Sequence, residues 1–169
     1  MDYATLDDLA RVSVAGWPEM AQRACRDARI TAELLRTVAA GGDTSGYPAD
    51  QVVIAAEGVE VLRAQLAAAS RHADTFIAGY YPDGLTMPQL AASDLSTVVA
   101  TIAWRRMYGP VVPKEVIEAT RWADDYLRDV AKGVVSLGTP TGPAAPGDDE
   151  VMFSFRPRSV TDDDLEGFA

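Results

Sequence analysis

Cysteine, histidine and positive charge are all scarce in this 169-residue sequence, and each scarcity removes a class of function. The single cysteine, Cys25, allows no internal disulfide, which suits a reducing compartment. Set between Ala24 and Arg26 in a helical pattern, it is expected as a small buried residue rather than a nucleophile. One histidine and one cysteine are too few for a zinc site without an unusual carboxylate supplement. That histidine, His72, stands between Ser70 and Asp74, but a spacing of two on a helix sends serine and histidine to different sides. Fifteen Lys+Arg against 25 Asp+Glu leave a formal charge of −10. Nucleic-acid binding rests on neutralising phosphates with Lys and Arg, so a grip on DNA is not expected.

Other absences point the same way. No apolar run is long enough to span a bilayer, and Met1-Asp2-Tyr3 lacks the basic start of a secretory signal. The loop Gly41-Gly42-Asp43-Thr44-Ser45-Gly46 has no lysine for a phosphate. Asp162 to Gly167 imitates the first half of a calcium loop, yet no glutamate stands at the twelfth position. Acids in the first turn of a capped helix explain that run better. Neither enzymatic activity, nor a cofactor, nor a metal is expected.

What is present is helical periodicity. Thr5 and Asp8 form a capping-box pattern that opens a helix over Leu6–Val14. Pro18 suits the first turn of a second helix, where Ala21, Ala24, Ala28, Thr31, Leu35 and Val38 recur along one face. After the glycine loop, a third helix runs from about Asp50 to Gly79. Its stripe is Ala55, Val59, Leu62, Leu66, Ala69, Ala73, Phe76 and Tyr80, and at about 1.5 Å per residue the rod is roughly 45 Å long. Gly58 inside it is expected to cost about 1 kcal/mol against alanine. Pro88 opens a fourth helix with Leu95, Val98, Val99 and Ile102 inward. Pro113 opens a fifth, with Val116, Ala119, Ala123, Leu127 and Val130 inward. Gly109-Pro110 and Gly133 end the last two.

After Gly133 the composition changes. The run from Thr139 to Gly147 holds five glycine or proline breakers among small residues and reads as a linker. Val151-Met152-Phe153-Ser154-Phe155-Arg156 alternates as a short strand, and Thr161 with Asp164 caps a final turn ending at Leu165 and Phe168. The last 37 residues carry two Arg and seven acids, a net of −5, half the charge of the whole chain. The fold expected is all-α, a compact bundle of about four to five helices with an extended C-terminal arm containing a short β-strand. The division is a helical body over 1–138 and a linker with arm over 139–169. An arm with aromatic anchors and no sheet of its own is suited to docking on a neighbour, through Val151, Met152, Phe153 and Phe155, with Arg156, Arg158, Leu165 and Phe168 beside them. Arg105 and Arg106, near a helix C-terminus where cations are favoured anyway, are a possible contact for a partner or for DNA. The charges at Arg121, Asp124, Asp125, Arg128 and Asp129 read as a solvated face.

Several of these residues together resemble a family of proteins encoded in the head and neck gene clusters of Mu-like phages. They are Tyr3-Ala4-Thr5 with Asp8-Leu9, then Asp74 with Ile77-Ala78-Gly79-Tyr80 and Pro82, then Pro88 and Leu90. Asp94 before a helix ending at Tyr108 follows, then Ala119, Trp122, Leu127, Val130-Ala131, Gly133 and Val135-Ser136-Leu137-Gly138. The tail with Phe153, Arg156, Leu165 and Phe168 is similar too. Residues 17–50 are longer and more helical than that pattern. The resemblance implies a head–tail connector, or adaptor, in the virion neck. It implies a ring, dodecameric in such proteins, with arms on a portal protein or on neighbouring copies, and tail-side stopper or terminator proteins below. Double-stranded DNA would be passing cargo, with no membrane involved. The alternatives are a stopper or other neck layer, and a helical DNA-binding regulator whose best candidate contacts would be Arg105 and Arg106.

Overall fold

A computed structural model describes residues 2–138, and the linker and arm calls on 139–169 lie outside the described residues. Among the described residues there are seven helices and no strand. They are α1 (Leu6–Val12), α2 (Trp17–Cys25), α3 (Ala32–Ala39), α4 (Ala49–Ile77), α5 (Met87–Ala91), α6 (Leu95–Arg106) and α7 (Lys114–Ala131). The all-α expectation holds for this region. The helix count exceeds the expected five because two of the expected helices are each divided.

The first division falls between α2 and α3. Arg26 takes a left-handed conformation at φ 54°, which ends α2 without glycine or proline. Asp27 then accepts the Arg29 N–H at 2.9 Å, and Thr31 accepts the Leu34 N–H at 3.2 Å to start α3. Ala28 and Thr31, expected on a buried helix face, are exposed in this turn, while Met20, Ile30 and Leu34 fill the interior. The second division separates the short α5, opened by a Thr86–Gln89 capping box, from α6.

α6 is the axis of the body. It is buried along its length, from Leu95 through Val98 to Trp104, because α1, α4 and α7 each pack on it. Only one side of α6 was expected inward. Ala100, Thr101 and Ala103 occupy the remaining sides, and the Thr101 hydroxyl is satisfied by the Thr97 carbonyl at 2.8 Å. α4, 29 residues long, supports the other side of the body, with α2 and α3 laid against its first half.

Gly58 has a role opposite to the one expected. A Cβ there would sit closer than 3.0 Å to the Cys25 Sγ, with Leu35 Cδ1 at 3.5 Å and Ala24 Cβ at 3.7 Å. The missing side chain is what lets α2 approach α4. The α4 stripe follows Ala55, Val59, Leu62, Leu66, Ala69 and Ala73 as expected, and then shifts. Ile77 and Tyr81 are buried in place of Phe76 and Tyr80, which are only half-buried. A seven-residue repeat slips about 20° per heptad around a straight α-helix, and after three heptads the slip of about 60° leaves the following residue nearer the buried line. In α7, likewise, Ala119 is exposed and Thr120 is buried beside Ala123, Leu127 and Val130. The Thr120 hydroxyl donates to the Val116 carbonyl at 2.7 Å, so a polar residue is accommodated inside.

Candidate functional site

Three polar clasps hold the body together, and between them they use most of the residues that could have signalled chemistry. The first joins α6 to α7. Arg105 makes a two-pronged pair with Asp124, Nη1 to Oδ2 at 2.5 Å and Nη2 to Oδ1 at 3.0 Å, with both side chains mostly buried. The Arg105 hydrogen bonds hold the Asp124 carboxyl below its usual range, and Asp124 in turn raises the Arg105 guanidinium. Asp124 therefore leaves the solvated face, where Asp125 pairs with Arg121 at 3.8 Å and Arg128 at 2.5 Å. Arg106, the neighbour of Arg105, is exposed. His72 lies near both arginines and stacks edge-on against Phe76 at 5.2 Å. Burial first, and then the Arg106 charge, push its imidazole below the usual value, so it is neutral at pH 7.

The second clasp pins the start of the chain to α4. The Tyr3 N–H donates to the Ser70 Oγ at 3.2 Å, and the Tyr3 hydroxyl donates to the Asp74 Oδ1 at 2.5 Å. Ser70 and Asp74 thus serve Tyr3, and neither faces His72 as a catalytic group would. Burial, followed by the Asp74 hydrogen bond and charge, raises the Tyr3 phenol well above its ordinary value.

The third clasp fixes α2 to the turn that follows α6. Arg23 donates to the Glu19 Oε1 at 2.7 Å and lies 3.6 Å above the Tyr108 ring, whose hydroxyl reaches the same Glu19 oxygen at 3.4 Å. Trp104 meets that ring edge-on at 5.3 Å. Burial raises the Glu19 carboxyl, but the Arg23 hydrogen bond and charge and the Ala15 N–H outweigh it and hold the group low. Residues 17–50, which exceed the expected pattern, are tied into the body through this cluster.

No group of three or more metal-ligating side chains exists among the described residues, and no described helix is long and apolar enough to cross a membrane. The four most exposed large apolar side chains among the described residues lie at two ends of the body. Val14 is 86% exposed and Val111 is 81% exposed, and the Glu19–Tyr108 contact puts their two loops at one end of α6. Met87 and Val134, 64% and 73% exposed, lie at the other end, where Gly138 leaves the body beside Gln89. The exit is fastened by Tyr81, whose hydroxyl accepts the Leu137 N–H at 2.9 Å and donates to the Gly138 carbonyl at 3.0 Å. The arm residues Val151, Met152, Phe153, Phe155, Arg156, Arg158, Leu165 and Phe168 lie outside the described residues. Sequence patterning missed the exposed valines because each sits in a loop, where no periodicity marks a face. It missed the Tyr3 clasp because its partners are 67 and 71 positions away.

A family model described as Bacteriophage Mu, Gp36 matches residues 3–155. The chain belongs to that family. For this Gp36 family member, no curated protein and no solved structure gives a match. The matched stretch includes all seven helices, so α2 and α3 lie inside the Gp36 match rather than beside it.

Proposed function

We propose that the chain is a head–tail connector of the phage neck, an adaptor that forms a ring between the portal and the tail-side proteins. In that role it is a structural protein without enzymatic activity. Its partners are the portal, neighbouring copies in a dodecameric ring, and stopper or terminator proteins. The observation that carries the reading is the match of the helical body and the first part of the arm to one bacteriophage family. Two physical features support it. The body exposes valines and a methionine at opposite ends of α6, as a subunit with neighbours on two sides would. The net charge of −10 lets DNA pass with little adhesion.

A helical DNA-binding regulator is the weaker alternative, since the Arg105 guanidinium is spent on Asp124 and leaves Arg106 as the exposed member of the pair. Native mass of the protein alone and mixed with its portal, followed by cryo-electron microscopy of the neck, tests the reading. A ring containing this chain between portal and tail supports it. A monomer that ignores the portal and shifts DNA in a gel at physiological salt refutes it.

A further inference from the structure

The exit from the body is built in two layers. The inner one begins where α7 ends. Gly133 donates to the Val130 carbonyl at 3.0 Å and Val134 to the Asp129 carbonyl at 2.9 Å, a glycine-ended cap that is complete by itself. Residues 135–138 are then held by Tyr81, whose hydroxyl bridges the Leu137 N–H and the Gly138 carbonyl, while the Ser136 hydroxyl donates to that same carbonyl at 2.8 Å. The outer layer is α5. Its Gln89 side chain passes over Gly138 so closely that a Cβ there would stand 3.1 Å from the Gln89 Cγ. Little else holds α5. It is five residues long, none of them buried, and no other helix packs extensively on it. Leu90 alone of its apolar residues rests, half-buried, against the core. A single turn of helix is too short to persist in water by itself. Its capping box, in which the Gln89 Oε1 accepts the Thr86 N–H and hydroxyl at 2.9 Å each, is exposed. Leu85 before α5 and Leu95 after it are buried, so α5 spans two fixed points, with Gly84 at φ 80° on the near side.

We propose that α5 is a strap across this exit, with a closed and an open state that set where the C-terminal segment departs from the body. Closed, it keeps residues 135–138 in place, and the departure point is Gly138. Open, it admits water to the Tyr81 hydroxyl and the Gly138 carbonyl, and hydrogen bonds that water can replace hold little. The α7 cap survives, because its bonds lie within residues 128–134, so the departure point moves back to Val134. The four residues freed lengthen the reach of everything beyond them by about 14 Å. The two layers are also joined through the chain. Tyr81 begins the connection to α5, and its carbonyl accepts the Gly84 N–H at 2.9 Å in the turn on which the strap swings. This holds whatever the C-terminal segment meets, so it stands apart from the connector reading.

Amide hydrogen exchange of the full chain, read residue by residue by NMR, tests this. The reporters are the Leu90 and Ala92 N–H groups, bonded to the Thr86 and Pro88 carbonyls at 3.0 Å each, and the Leu137 N–H in the exit. Their protection is expected to agree within about threefold and to lie at least about a hundredfold below that of Ile102 in α6. Val134 is expected to stay at least about tenfold slower than Leu137, with α7. Gln89→Gly, which strips the strap of its cap and of its cover over Gly138, is expected to quicken Leu137 at least about tenfold and leave Ile102 unchanged. Locking the strap does the reverse. In a Cys25→Ala background, Gln89→Cys with Gly138→Cys places the two Cβ atoms 3.8 Å apart, the usual disulfide separation. Oxidation is expected to slow Leu90 and Leu137 together at least about tenfold, and reduction to restore both. The left-handed φ of 101° at Gly138 strains that pair, and where the bond fails to form, Gln89→Gly decides alone. Leu137 as slow as Ile102 while Leu90 and Ala92 exchange freely overturns the strap, as does an unchanged Leu137 rate in Gln89→Gly. Leu90 exchanging only as slowly as Ile102 removes the open state. Val134 quickening with Leu137 places the release inside α7 and refutes the four-residue gain in reach.

Discussion

Gly58→Ala sets helix propensity against packing at a single atom. In an isolated helix the change stabilises by about 1 kcal/mol. Here the new methyl is placed closer than 3.0 Å to the Cys25 Sγ, with Leu35 and Ala24 already in contact behind it. Cys25 sits in the last turn of α2, where helical crowding leaves its side chain two favoured rotamers, so relief requires rotation or a shift of α2 away from α4. Overpacking of this kind costs about 1–3 kcal/mol. Taking about 2 kcal/mol for the clash and about 1 kcal/mol for the propensity gain, the variant is expected to lose about 1 kcal/mol net. That corresponds to a fall of about 2–4 °C in melting temperature for a chain of this size. The sign should reverse once the sulfur is gone. In a Cys25→Ala background, Gly58→Ala is expected to stabilise by about 1 kcal/mol, its full propensity gain. Urea unfolding of the four proteins in this cycle yields the coupling directly. Equal effects of Gly58→Ala in both backgrounds would refute the claim that Gly58 exists to admit α2.

Four further substitutions follow from the clasps and the shifted stripes. Tyr3→Phe is expected to cost about 1.5–3 kcal/mol in chemical unfolding, the range for hydrogen bonds to charged groups. Because the folded-state pKa of Tyr3 is raised, its contribution is complete below the unfolded value of about 10 and lost as pH rises through the folded one. Wild-type stability should thus fall above pH 10 with a slope that Tyr3→Phe reduces, Tyr108 and Tyr126, raised by burial, supplying the remainder. Asp124 has the opposite sign: its folded pKa is lowered, so its contribution is present above the unfolded value of about 3.9 and lost as pH falls further. Asp124→Asn should flatten acid unfolding below pH 4 while lowering stability at pH 7. Finally, Ala119→Lys should change stability by less than about 0.5 kcal/mol, as exposed sites do. Thr120→Lys, by burying an unpaired charge one position away, should prevent cooperative folding, as read by circular dichroism.

Much of the body was legible because the signals were local and strong. The Thr5–Asp8 capping box, the glycine loop after α3, the Pro18 and Pro113 starts and the glycine ends at Gly109 and Gly133 stand where expected, whereas Pro88 opens the separate short α5 and not α6. The misses have definite causes. Arg26 breaks a helix in a left-handed conformation that arginine rarely adopts, so nothing in the residue type announced it. Phe76 and Ala119 were placed inward by counting apolar residues at whole-number spacings, whereas 3.6 residues per turn moved the buried positions to Ile77 and Thr120. Gly58 looked like a weakness because its partner, Cys25, lies 33 positions earlier and belongs to another helix. Of the candidate contacts, Arg105 could be followed to Asp124 only with α6 and α7 packed, since the pair spans 19 residues.

The Tyr81 fastening sets how the body would respond to a pull on the arm. Tension entering at Gly138 meets the two Tyr81 hydrogen bonds and the buried Leu137 before it reaches the end of α7. Load is therefore delivered to the turn that follows α4, the longest element, and α7 is not unzipped from its C-terminus. Removing the hydroxyl with Tyr81→Phe would leave buried Leu137 and the Val134 and Val135 N–H bonds to the Asp129 carbonyl to carry the same force, and so shift the load toward the end of α7.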